Sequence, residues 1–261
     1  MPETTPGASP DPYAGLPYRR LFDWEDRLAR ESPFLLDVLR RSPEASLLDL
    51  GCGTGEHTIH FARAGFQVVG VDRSAAQLEQ AREKAANLSV RFVQADLSNL
   101  GPALDRRFGG SICLGNTLVH VLETQDLERT CHGVHAALYA GGSWTAQILN
   151  YERILTSGVR HLPLQFRADG DGEIVFLRLL RPMANGRVQF FPTVLRLHPE
   201  AEVPVEVVNS HSTTLRAWQR HDLEPALRQA GFDRVEWYGD LRGGPYHLQT
   251  STDLVFVATR H

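Results

Sequence analysis

The run Leu47–Gly55, LLDLGCGTG, restricts what this chain can fold into more than any other stretch. Ser46–Leu50 is short and built around Leu47, Leu48 and Leu50, which reads as a buried strand. Three glycines follow within five residues, and Glu56–Ala64 then reads as a helix ending at Gly65. The first half of the chain keeps this rhythm. Further strands are predicted at Gln67–Asp72, Val90–Gln94, Ser111–Leu114 and Ser143–Leu149. A helix capped by Ser74 runs towards Ala86, and another spans Gln125–Tyr139. Strands alternating with helices in this way imply right-handed crossovers and a parallel sheet covered on both faces.

The flanks read differently. Residues 1–12 (MPETTPGASPDP) carry almost no core-forming side chains and are expected to be a disordered tail. Residues 13–44 read as a helical cap, with Leu21, Trp24 and Leu28 and then Leu35, Leu36 and Leu39 at helical spacing. Pro33 interrupts the pattern, so two helical pieces are expected to meet at Ser32–Pro33. Residues 151–217 turn β-rich, with runs at Glu173–Arg181, Arg187–Leu197 and Val205–Leu215. Asn185–Gly186 joins the first two as a hairpin signal. This region is expected to be an antiparallel insertion after the fifth strand, set on the sheet edge or over its crevice. A helix at His221–Ala230 and strands at Asp233–Tyr238 and Asp253–Thr259 complete a main domain made of residues 45–150 and 218–261.

Composition narrows the partners. The net charge is −4, and no Lys- and Arg-rich face emerges, which argues against nucleic acid. No apolar run approaches the roughly 20 residues that span a bilayer, and the signal-peptide order of basic then apolar residues is missing. Cys52, Cys113 and Cys131 are widely spaced and read as reduced thiols, so a cytoplasmic location is expected. The pairs His57/His60 and His132/His135 have no further ligand in view. They read as solvated helix faces, and no metal is expected. No oligomer is predicted.

The glycine turn carries the chemistry. Glycines let a ligand approach the main chain, and a helix opening there aims free N–H groups at it. The spacing here is G-x-G-x-G, with Asp49 two residues ahead of the first glycine, whereas a dinucleotide fingerprint is G-x-G-x-x-G. In these residues the chain resembles the class I S-adenosylmethionine-dependent methyltransferases. The resemblance implies a Rossmann-like α/β fold with a mostly parallel seven-stranded sheet, helices on both faces, and S-adenosylmethionine as cofactor. It places Asp49, Gly51, Cys52, Gly53 and Gly55 at the cofactor. Asp72 is placed on the ribose hydroxyls beside Arg73, Asp96 and Leu97 at the adenine, and Leu114 and Gly115 nearby. A carboxylate suits a vicinal diol because it accepts two hydrogen bonds at once. Tyr13, Tyr18, Phe22 and Trp24 are candidates to face the sulfonium, and Arg27 to hold the methionine carboxylate.

The segment SICLGNTLVHV lacks the Pro-Pro-aromatic arrangement of nucleic-acid amino-methyltransferases and the Asp that would hold Mg²⁺. Leu114, Gly115, Asn116 and His120, with Ile148-Leu149-Asn150-Tyr151-Glu152, are similar to the glycine N-methyltransferase group. That resemblance implies a small-molecule acceptor. Asn116, His120 and Tyr151 are the expected catalytic residues, with His120 a candidate base. Tyr246 and the insertion phenylalanines Phe166, Phe190 and Phe191 are candidate pocket walls. Where that group has an arginine for the glycine carboxylate, this chain has Leu149, which points to a different amine or to a hydroxyl acceptor. An O-methyltransferase and a non-catalytic cofactor-binding module remain the alternatives.

Overall fold

The computed structural model describes residues 21–42, 44–170, 172–198 and 200–261. The tail at 1–12, and Tyr13 and Tyr18 of the proposed cofactor site, lie outside the described residues.

The strand–turn–helix rhythm builds a seven-stranded sheet. Its strands are β1 (Ser46–Leu50), β2 (Gln67–Asp72), β3 (Val90–Gln94), β4 (Phe108–Cys113), β5 (Leu138–Leu149), β11 (Arg234–Tyr238) and β12 (Asp253–Thr259). Their order is β3-β2-β1-β4-β5-β12-β11, with β12 antiparallel to both neighbours. The helices are α1 (Trp24–Leu39), α2 (Glu56–Arg63), α3 (Ala75–Lys84), α4 (Thr124–Ala137), α5 (Tyr151–Thr156) and α6 (Arg220–Gln229). Alternation in β1 divides the core. Leu47 packs with Leu35, Leu39 and Phe61, from α1 and α2, on one face; Leu48 and Leu50 join Leu127, Val134 and Leu227, from α4 and α6, on the other.

Three expectations change. Helix α1 is continuous through Pro33, because burial of Leu35, Val38 and Leu39 outweighs the missing N–H, and Ser32 Oγ donates to the Leu28 carbonyl. The insertion contains a strand that the sequence pattern did not reveal, β6 (Gln165–Asp169), beside β7 (Gly172–Pro182) and β8 (Arg187–Leu197). The run Val205–Leu215 breaks into β9 (Val205–Ser210) and β10 (Thr213–Arg216), both paired with β8. The expected turn between β7 and β8 is present, with Asn185 and Gly186 both left-handed at φ 59° and 65°. Helix α5, capped by Asn150 Oδ1 on the Arg153 N–H, also went unread. The insertion packs on the main core through Leu180, Val188, Phe190 and Leu215, so it forms one wall over the carboxyl end of β5.

Candidate active site

The sheet order reverses at β1, which has β2 on one side and β4 on the other; in such sheets the crevice beyond the strand ends takes the ligand. A cavity of about 420 Å³ lies there. Its floor is the glycine turn, where Gly51 and Cys52 donate to the Val71 carbonyl at 2.7 and 3.0 Å. Asp72 at the end of β2 takes the Gly53 N–H on Oδ2 and the Ser74 N–H on Oδ1, both at 2.9 Å. These bonds aim the carboxylate at the cavity that Asp72 lines. Asp96 caps the short turn Leu97–Asn99 through Ser98, with bonds of 2.8 Å from the N–H and 2.6 Å from the hydroxyl. Arg73, Leu97, Leu114 and Gly115 also line the cavity, together with Thr117, which the sequence did not single out.

Two predicted cofactor residues stand behind this lining. Asp49 points to the opposite face of β1 from Leu48 and Leu50, is buried, and accepts the Thr58 hydroxyl of α2 at 2.6 Å. It braces the turn from below, and burial pushes its carboxyl up. Gly55 is left-handed and packs under Ala81 and Phe92, where an added Cβ would stand 3.0 and 3.2 Å from them. Burial likewise raises the Cys52 thiol, with Asp49 and Asp72 adding to the effect, so this thiol stays protonated.

Helix α1 closes one end. Arg27 and Trp24 line the cavity, with the guanidinium 4.9 Å over the Trp24 ring. Glu31 holds Arg27 Nε at 2.8 Å and His57 Nε2 at 2.9 Å. Burial raises the Glu31 carboxyl, but the His57 hydrogen bond and the Arg27 charge outweigh it and hold it below the usual range. His57 is therefore no solvated residue: it is buried, lines the cavity and packs edge-on to Trp24. His60 likewise meets Ser32 at 2.7 Å. The spacing that suggested an exposed face instead marks the seam between α1 and α2.

Asp72, Asp96, Arg27 and the open Gly51–Gly53 turn line one cavity, a set of groups that could hold a nucleoside bearing an amino-acid tail. At Gly53 an added Cβ would meet only Gln77, at 3.5 Å, which leaves room for a ligand against the backbone.

A second cavity of about 350 Å³ lies between α1, the end of β5 and the insertion. It shares Arg27 and Gly115 with the first. Gly115 and Asn116 are both left-handed, at φ 69° and 66°, an uncommon state for a side-chain-bearing residue. Gln147 Oε1 accepts both their N–H groups, at 2.9 and 3.3 Å. Asn116 and Tyr151 line this cavity, as does Phe190. Burial drives the Tyr151 hydroxyl far up, so it acts as a neutral phenol. Leu149 lines it too, as do Arg167 and Arg178 of the insertion. Gln165, with a buried Oε1 that has no hydrogen-bond partner, and Asp253 complete the polar lining.

Other candidates fall elsewhere. His120, at the end of the short helix Leu118–His120, lines the first cavity and not the second. Phe166 is 48% exposed, Phe191 lies outside both linings, and Tyr246 donates to Asn150 at 3.2 Å instead of facing either cavity. Gln147 and Asp253 escaped the sequence reading; the signal for Gln147 was a long amide side chain in a strand whose other residues from Ser143 on are small, hydroxylic or apolar. Among the described residues, no group of His, Cys, Asp and Glu gathers to hold a metal, and no helix is long and apolar enough to cross a membrane.

A family model described as a methyltransferase domain matches residues 47–142. Over 140 residues the chain is 33% identical to the glycine/sarcosine N-methyltransferase of Halorhodospira halochloris, covering 53% of this chain and 52% of that protein. It is 30% identical over 225 residues to the glycine/sarcosine/dimethylglycine N-methyltransferase of Actinopolyspora halophila, covering 85% of this chain and 37% of that one. The chain thus spans about half the length of the curated relatives it matches, or less. The solved structure of the sugar N-methyltransferase KedS8 from Streptoalloteichus superposes with a TM-score of 0.73 at 23% identity. That match covers 100% of this chain and 97% of KedS8.

Proposed function

We propose that this chain, which carries a methyltransferase domain and is similar to glycine/sarcosine N-methyltransferases, is a class I S-adenosylmethionine-dependent methyltransferase that methylates an amine nitrogen of a small molecule. The observation that carries this reading is the meeting of two cavities at Arg27 and Gly115, one built for the cofactor and the other for an acceptor. In this reading Asp72 holds the ribose, Asp96 and Leu97 the adenine, the Gly51–Gly53 turn the amino-acid end, and Arg27 the carboxylate. When bound, the cofactor supplies a methyl group already activated by its sulfonium.

The chain's own residues then have three tasks: to hold the acceptor in line, to exclude water and to manage its proton. The Gly115–Asn116 turn, locked by Gln147, fixes the opening between the cavities. The insertion supplies the roof, with Phe190 and Leu215 as apolar wall and Gln165 as an acceptor of hydrogen bonds. The Asp253 carboxyl in the same lining, held by the neutral Gln147 amide, offers an amine a hydrogen-bond acceptor. The curated relatives named as glycine and sarcosine N-methyltransferases agree with nitrogen as the acceptor atom.

The test is S-adenosylhomocysteine formation with a panel of amino sugars, glycine, sarcosine and catechols. Turnover of one or more amines is expected. Product from hydroxyl acceptors alone would assign the cavity to O-methylation, and tight cofactor binding without product from any compound would make the chain a binding module.

A further inference from the structure

Asp253 opens β12 opposite Leu149 of β5, so its carboxyl stands at the same end of the sheet as both cavities. It lines the second cavity beside Asn116, Gln147 and Tyr151. Its Oδ1 accepts Gln147 Nε2 at 2.9 Å, and its Oδ2 is reached by the Thr252 hydroxyl only at 3.5 Å. The orientation of Gln147 is fixed independently, because its amide oxygen takes the Gly115 and Asn116 N–H groups. One side chain therefore ties the Asp253 carboxyl to the turn where the two cavities meet.

The other titratable groups facing this cavity are committed elsewhere. On α1, Asp23 caps the helix through the Asp26 N–H at 3.1 Å, and Asp26 pairs with Arg30 at 3.1 Å; both are exposed. Glu31 is shared between Arg27 and His57. The Tyr151 hydroxyl stays protonated, and Arg167 and Arg178 approach from the insertion as cations. Among the described carboxyls of this lining, Asp253 is the one that is partly buried and held by a neutral side chain.

Resting on the reading of this cavity as the acceptor site, we propose that Asp253 accepts the proton that the acceptor amine must lose before methylation. An ammonium has no lone pair. Its N–H bond breaks, the proton passes to Asp253 Oδ2, and the freed pair forms the new N–C bond. The S–C bond breaks with its electrons going to sulfur, which becomes a neutral thioether, while the positive charge moves to nitrogen. Asp253 then returns its proton to solvent. Burial raises its carboxyl to about 6, against the Gln147 hydrogen bond, with Glu31 raising and Arg27 lowering it further. A carboxyl in that range is ionised at neutral pH and a better base than a surface aspartate.

Carbon-detected NMR titration of the aspartate carboxyls in the full chain tests this, with Asp253→Asn assigning the resonance and methylammonium chloride as the probe cation. The Asp253 midpoint is expected near 6 and should fall by about one unit or more with methylammonium, since a nearby cation favours the carboxylate. A midpoint that the probe leaves unmoved overturns the proposal. With the amine found by the product screen, Asp253→Asn should lower kcat/KM about 100-fold, flatten its acidic limb and leave cofactor affinity unchanged. Asp253→Glu should retain the limb. An acidic limb that survives in Asp253→Asn also overturns the assignment. If methylammonium shifts the midpoint but no amine is turned over, the amine-methylation reading fails while the cation site at Asp253 stands.

Discussion

Asn116 holds Tyr151 through its side chain: Nδ2 donates to the buried hydroxyl at 2.9 Å, while Oδ1 accepts the Leu149 N–H at 3.0 Å. One residue thus joins the end of β4 to the end of β5 and to the first turn of α5. Its left-handed backbone places the amide where it can make both bonds.

Asn116→Ala removes both bonds and leaves a buried N–H and a buried hydroxyl without this partner, each worth about 1–3 kcal/mol. Turnover is expected to fall more than cofactor affinity, because Asn116 lines the second cavity and not the first. Asn116→Gly relieves the backbone but not the lost bonds, and should behave like the alanine variant in turnover. Calorimetry with S-adenosylhomocysteine beside steady-state rates checks the split; equal losses in both would remove Asn116 from the acceptor side.

Asp72→Ala is expected to weaken cofactor binding about 100-fold or more, which corresponds to two charge-assisted hydrogen bonds of about 1.5–3 kcal/mol each. The fold should persist, since Asp72 is only half-buried and its strand is held by β1 and β3 on both sides. Unchanged affinity with an intact circular dichroism spectrum would place the ribose elsewhere.

Gly51→Ala combines two penalties. The position sits at φ 68°, which costs an L-residue about 1–2 kcal/mol, and the new Cβ would lie 2.2 Å from Thr117 Cγ2. Thr117→Ser removes that methyl while keeping the hydroxyl on the Leu114 carbonyl. The double variant should recover the steric part of the lost stability but not the backbone part. Urea unfolding of all four proteins gives the coupling, and strict additivity would show that the two residues do not touch in solution.

What the sequence disclosed and what it hid follow from the range of the interactions. That the glycine turn, Asp72 and Asp96 share one cavity was legible because each follows a strand with clear periodicity. Asp253 was not, since its meaning comes from Gln147, 106 residues away, through the pairing of β12 with β5. Glu31 and His57 meet across 26 residues, so the sequence around His57 alone read as a solvated helix face. The motif around His120 fixes order along the chain but not which of two neighbouring cavities a side chain lines. Pro33 misled because local propensity was outweighed by the packing of α1 on the sheet.

Asp253 also makes a prediction about stability that requires no ligand. A carboxyl raised to about 6 binds its proton more tightly in the folded chain than in the unfolded one, where the ordinary value is about 3.9. The folded state gains from this below the unfolded value, and the gain is lost as pH rises through 6. A difference of about two units corresponds to about 3 kcal/mol at most. Asp253→Asn removes the charge and keeps an oxygen for Gln147 Nε2. It should therefore unfold at a higher temperature than the parent chain at pH 8, and the difference should shrink as pH falls below 5. Thermal unfolding at the two pH values measures it. A gap of the same size at both would mean that the carboxyl is solvated and pays no penalty for its charge, and the reason for singling out this aspartate as a base would go with it.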